Sequence, residues 1–146
     1  MLRDPGLIPL SHQHHNGLAL SVMTRRSLAQ DASEGNLRML GKRIVDRYEI
    51  ELTNHFRIEE QTVFPAAAAC PLVEGLIADH REMERLVEGI RRTPTPALME
   101  EFCELITRHI RREENELFEW MQRELPRETL DRLGQVIDAQ AVRICL

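Results

Sequence analysis

Apolar residues in this chain recur at three- and four-residue spacing and nowhere alternate with polar ones over a strand's length. That period predicts helices and no sheet. Pro5 and Pro9 precede a first helix that Ser11 would N-cap and that runs to about Gln30. Asp31-Ala32-Ser33-Glu34-Gly35 reads as a turn. A second periodic segment covers about Asn36 to Ala69 and breaks at Cys70-Pro71. The third runs from about Leu72 to Arg92, and the fourth from about Pro96 to Glu124. A shorter fifth, about Arg127 to Arg143, closes the chain. Short connections make neighbouring helices antiparallel. The expected fold is therefore all-α, an up-down-up-down four-helix bundle with a short extra C-terminal helix. In domain terms, residues 1–9 are an N-terminal extension and 10–124 the bundle. Residues 127–146 form a helix packed on the bundle or used in dimerisation.

The inward stripes carry the chemistry. The second helix gives Ile44, Tyr48, Leu52, His55, Glu59 and Val63; the third gives Val73, Leu76, His80, Met83, Val87 and Ile90. The fourth gives Leu98, Phe102, Leu105/Ile106, His109, Glu113, Leu117 and Trp120. The first is less regular and offers His15, Leu18 and Val22. Each stripe is apolar except near one level, where a histidine enters, followed on two helices by a glutamate one turn later. A carboxylate taken out of water without a partner costs many kcal/mol. Two such carboxylates facing each other also repel. A multivalent cation removes both problems, and imidazole with carboxylate suits iron, manganese or zinc rather than copper(I) or calcium. The i, i+4 spacing of His55/Glu59 and of His109/Glu113 places both members of each pair on one helix face.

The segment His55-Phe-Arg-Ile-Glu-Glu-Gln-Thr-Val-Phe64 also matches His109-Ile-Arg-Arg-Glu-Glu-Asn-Glu-Leu-Phe118. Each copy follows a helix with a histidine beside an amide or acidic neighbour, Gln13-His14-His15 in one case and Asp79-His80 in the other. Two hairpins related by pseudo-symmetry would bring four histidines and two bridging glutamates to one point, and a metal pair is the natural occupant.

Composition narrows the partners. Acidic residues outnumber basic ones, 24 to 19, for a formal charge of −5, and there is no Lys/Arg-rich run, so no nucleic-acid partner is expected. No apolar run approaches the roughly 18–20 residues of a membrane span, and the start lacks a secretory signal's pattern. Hydrophobic residues make up 42% of the chain, enough for a core. Cys70, Cys103 and Cys145 form no disulfide framework or zinc module, and neither Cys70 nor Cys103 has the cationic neighbour of a redox thiol. The expected setting is cytoplasmic.

At these residues the chain resembles the hemerythrin-like family, the HHE cation-binding domain. Leu10-Ser11-His12-Gln13-His14-His15-Asn16-Gly17-Leu18 looks like the start of its bacterial branch, and the two HxxxEE…F segments with Asp79-His80 fit the rest. The resemblance covers about residues 10 to 124. It implies a non-haem di-iron centre, oxo- or hydroxo-bridged and carboxylate-bridged, with His15, His55, Glu59, His80, His109 and Glu113 as ligands. Zinc or manganese are the lesser candidates. Members that carry oxygen reversibly have a further histidine one turn before the His80 equivalent, where this chain has Leu76. Their last carboxylate is an aspartate five residues after the histidine, where this chain has Glu114, with Glu113 at four. By ligand counting, two six-coordinate irons would each keep about one free position. Glu84, one turn after His80, is a candidate to fill one.

These departures favour sensing or redox protection with oxygen, peroxide or nitric oxide over simple oxygen carriage. The alternative is a metal-stabilised helical regulatory or interaction module responding to iron without oxygen chemistry. A third reading is slow peroxidase or oxidase turnover. A homodimer or a protein partner is compatible with the fifth helix. Within the site, Leu18, Ala19 and Val22 fall at +3, +4 and +7 from His15 and favour it over His14. Glu60 and Glu114 face solvent or hydrogen-bond the ligands. Tyr48 is a core aromatic whose hydroxyl could line the pocket. The metal-specific motifs of ferritin-like sites and zinc hydrolases are absent.

Overall fold

Proline, serine and threonine mark where the helices begin. The computed structural model describes residues 1–144 of the chain, and every regular element among them is helical. Asp4 accepts a hydrogen bond from Gly6 N–H at 2.9 Å and caps a short 3₁₀ turn, Pro5–Leu7. Helix α1 follows directly, Ile8–Gln30, with Pro9 in the first turn where no N–H is needed. It thus starts at Ile8 and not at Ser11. The hydroxyl of Ser11 instead donates to Glu114 Oε2 at 2.7 Å. Ser33 caps α2, Glu34–Arg47, by accepting from Asn36 N–H, and Thr95 caps α6, Pro96–Arg112, by accepting from Leu98 N–H.

The second and fourth segments are long because wide turns let them continue past their polar residues. Helices α3, Thr53–Ile58, and α4, Phe64–Ala66, extend α2 through turns at Tyr48–Leu52 and Glu59–Val63. Helix α7, Phe118–Glu124, extends α6 through a turn at Glu113–Leu117. In each, an N–H bonds to a carbonyl five residues back: Thr53 to Tyr48, Phe64 to Glu59, and Phe118 to Glu113. Helix α5, Val73–Arg92, is regular, and α8, Arg127–Gln140, is the last.

Side-chain pairs tie the segments at both ends. Ser27 Oγ accepts from Asn36 Nδ2 at 3.0 Å, while Gln13 Nε2 donates to Asn54 Oδ1 at 3.0 Å. Arg91 bonds Glu49, while His80 meets Glu60. Ser21 Oγ donates to Cys103 O, while His14 meets Glu113. Two apolar clusters result. One is built around Leu40, Ile44, Met83, Ile90, Met99 and Phe102, the other around Leu10, Ile58, Leu76, Leu117, Phe118 and Met121. The histidine–glutamate level lies between them.

The stripes hold in α2 to α6 and shift elsewhere. Val22, expected inside, is 47% exposed, and Leu18 is half-buried. The buried positions of α1 include His14, Gly17, Ser21 and Thr24. Small residues let α1 approach α6 so closely that a Cβ on Gly17 would stand 3.0 Å from Ile110 Cδ1. Past the wide turn at Glu113, Phe118 and Met121 are buried and Trp120 only half-buried, because an added residue advances the inward face by one. The final helix stops at Gln140, short of the expected Arg143, and its Leu130, Leu133 and Ile137 are buried. Cys145 lies outside the described residues. No helix among the described residues is long and apolar enough to cross a membrane.

Candidate metal centre

Six side chains meet at the level between the apolar clusters: His14, His55, Glu59, His80, His109 and Glu113. Five of the six expected residues are there. His15 is the exception. It is exposed, as is His12, and the preceding residue, His14, points inward and is 4% exposed. The expected register was set by Leu18, Ala19 and Val22, but α1 meets α6 through small residues, which carry no hydrophobic signal. One position of helical phase is a rotation of about 100°, enough to turn one histidine into water and its neighbour into the core.

The atoms form two sets that share both glutamates. His14, His55, Glu59 and Glu113 offer one ligand atom each within 4.8 Å of one another, and so do Glu59, His80, His109 and Glu113. The carboxylates are fully buried, 0% exposed. His14 Nε2 lies 2.8 Å from Glu113 Oε1, and His80 Nε2 lies 3.0 Å from Glu59 Oε1. His55 Nε2 lies 3.4 Å from Glu59 Oε1, and His109 Nε2 lies 3.4 Å from Glu113 Oε1.

Each of the four convergent histidines is held from behind through Nδ1. His14 donates to Glu114 at 2.5 Å and His80 to Glu60 at 2.8 Å, so the second glutamate of each repeat orients a histidine of the opposite hairpin. His55 donates to Gln13 Oε1 at 2.8 Å and His109 to Asp79 Oδ2 at 2.9 Å. These bonds fix the tautomer that leaves Nε2 facing inward. The closing phenylalanine of each repeat stacks on a histidine, Phe64 on His80 with centroids 5.6 Å apart and Phe118 on His14 at 5.5 Å. The wide turns make this geometry. In a regular α-helix residues five apart diverge by about 140° around the axis; a five-residue turn brings Glu59 and Phe64, or Glu113 and Phe118, back to one face.

Four atoms test whether a cation fits. His55 Nε2, His109 Nε2, Glu59 Oε2 and Glu113 Oε2 are buried and have no hydrogen-bond partner. Buried polar atoms are almost always satisfied, and these four belong to the same cluster. Electrostatics shows the same demand for positive charge. Burial opposes charge on His55, but Glu59 and Glu113 outweigh it and raise its pKa to about 10. His109 is likewise raised well above its usual value against burial, by Glu113, Asp79 and Glu59. Glu113 is held well below the usual carboxylate range despite burial, chiefly by His109. The arrangement is compatible with binding metal ions through nitrogen and oxygen donors.

The other candidates lie apart from this cluster. Glu84 is exposed and faces Arg81. Glu114 stands behind His14 and is not among the convergent atoms. Tyr48 is half-buried and meets Phe56 edge-on. Cys70 and Cys103 are buried free thiols, and burial pushes the Cys103 thiol up. The roles of Gln13 and Asp79 were visible only as neighbours of histidine. Their function depends on the helix opposite.

An all-helical fold with buried His/Glu clusters defines the chain as a helical domain suited to cation binding. The sequence model of the hemerythrin HHE cation binding domain matches residues 7–121, and the chain belongs to that family. No curated protein and no solved structure matches it.

Proposed function

We propose that the chain is a non-haem di-iron protein that binds oxygen or a related small oxidant, peroxide or nitric oxide, for sensing or redox protection. The observation that carries this is the set of four buried, unpartnered donor atoms converging between two histidine pairs. In this reading His14 and His55 hold one iron, His80 and His109 the other, and Glu59 and Glu113 serve both. The iron pair supplies redox chemistry and a coordination position for the small ligand. The protein supplies fixed imidazole tautomers, two shared carboxylates and an apolar shell that excludes bulk water. End-to-end pairs such as Ser27/Asn36 with Gln13/Asn54 support an up-down-up-down order of the four long segments within residues 10–124. The C-terminal helix Arg127–Gln140 is then packed on the bundle. Free buried thiols fit a reducing, cytoplasmic setting.

Elemental analysis and an absorption spectrum of freshly purified protein test the reading. Iron in pairs, with bands that respond to oxygen, azide, peroxide or reductant, is the expected result. A protein loaded with spectroscopically silent zinc would shift the function to a metal-stabilised helical module. Protein that takes up neither iron nor zinc would overturn the metal reading itself.

A further inference from the structure

The two half-sites share a glutamate behind one histidine each and differ in the group behind the other. His14 and His80 match: each donates Nδ1–H to a glutamate that an arginine also reaches, Arg3 on Glu114 and Arg81 on Glu60. His55 and His109 do not match. His109 rests on the carboxylate of Asp79, at 2.9 Å, with Arg112 a further 3.5 Å from the same oxygen. His55 rests on the neutral amide oxygen of Gln13.

We infer that the two metal positions of the proposed centre are unequal, the Asp79-backed His80/His109 position filling first. We further infer that Gln13 makes the His14/His55 position depend on the docked C-terminal segment. A carboxylate on Nδ1–H makes the opposite nitrogen a more basic donor than an amide carbonyl does, and such supporting groups change metal affinity about 10–100-fold. Packing runs the same way. His80 is stacked on both Phe56, at 3.9 Å, and Phe64, whereas the position matching Phe56 in the other repeat is Ile110.

The dependence on the C-terminal segment comes from the other end of the Gln13 side chain. Its Nε2 donates to Asn54 Oδ1 and to Val142 O, both at 3.0 Å. Asn54 in turn accepts from Val142 N–H and donates to Gln140 O, each at 3.0 Å. With both amide hydrogens so engaged, only the amide oxygen is left to meet His55. Residues 140–142 therefore lock the rotamer that presents that oxygen. This segment lies beyond the residues the family match covers, and Asp79 has no counterpart to it.

The inference rests on the metal reading, and cobalt(II) titration of the metal-free full chain separates the two. Followed by visible absorption and calorimetry, wild type should bind in two steps, the first at least about ten-fold tighter. Asp79→Asn should weaken the first step about 10–100-fold and leave the second nearly unchanged. Asn54→Ala should weaken the second step and leave the first. Two steps of equal affinity, or Asn54→Ala acting on the first step, would overturn the inequality while the metal reading stood. No cobalt uptake would overturn both. The wild-type titration decides the inequality even where a variant fails to fold, and Asn54→Ser is the milder substitute for testing the C-terminal segment.

Discussion

Between His14 and His15 the chemistry of the side chain is the same and the environment decides. His14 sits against Glu113, Glu114 and Phe118, while His15 faces solvent. His14→Ala should therefore lower metal affinity strongly, by at least about ten-fold, and His15→Ala should leave it unchanged. Metal titration of the two variants checks this, and an equal loss in both would place the first-helix ligand elsewhere. Glu59 carries a different expectation because it belongs to both sets. Glu59→Ala should reduce metal stoichiometry, read by elemental analysis, where loss of a single-site histidine lowers affinity at one position. Glu59 and Glu113 were legible in the sequence because a carboxylate on an apolar stripe stands out. Their helpers were less so, since Gln13 and Asp79 gain meaning only from the ring nitrogen opposite.

The helices of the second and fourth segments are built around the wide turns, and the C-terminal helix around a backbone contact. A Cβ on Gly134 would stand 2.7 Å from Gly6 Cα, a backbone atom that cannot rotate aside. Alanine within a helix usually adds about 1 kcal/mol of stability. Here Gly134→Ala should instead destabilise by about 1–3 kcal/mol, the usual effect of overpacking, seen as a lower thermal midpoint. The same junction carries an ionic tie. Arg127 holds the Asp4 carboxyl below its usual value of 3.8, against the opposing effect of burial. A depressed carboxylate contributes stability above its unfolded pKa, and that contribution is lost as pH falls through the folded one. The stability gap between wild type and Asp4→Asn should therefore be present near neutrality and close below about pH 4. Melting curves across that range measure it. A gap that widened in acid would remove the ion pair from the account.

For the whole molecule, folding and the proposed metal uptake should be linked, because the convergent donors come from α1, α3, α5 and α6 and from two of the three wide turns. None of these ligand sets exists in the unfolded chain. Metal present at about 100 times its dissociation constant should add about 2.7 kcal/mol of stability. Chelation should accordingly lower the thermal midpoint, and re-addition restore it. An unchanged midpoint after verified metal removal would mean that the buried carboxylates are balanced by the imidazoles alone.

Helix number, the repeat and five of the six convergent residues were written in the sequence, since local period and residue chemistry fix which face of a helix is apolar and where polar groups interrupt it. The fold had to settle what period does not encode. Small residues on α1 set its phase by close approach to α6 and so selected His14 over His15. Hydrogen bonds to carbonyls five residues back let two segments run on past their glutamates with the inward face advanced by one. Residues 140–142 reached Gln13 across the molecule through Asn54. Each of these depends on groups far apart in the chain coming into van der Waals or hydrogen-bonding range, and a one-dimensional pattern carries no record of that distance.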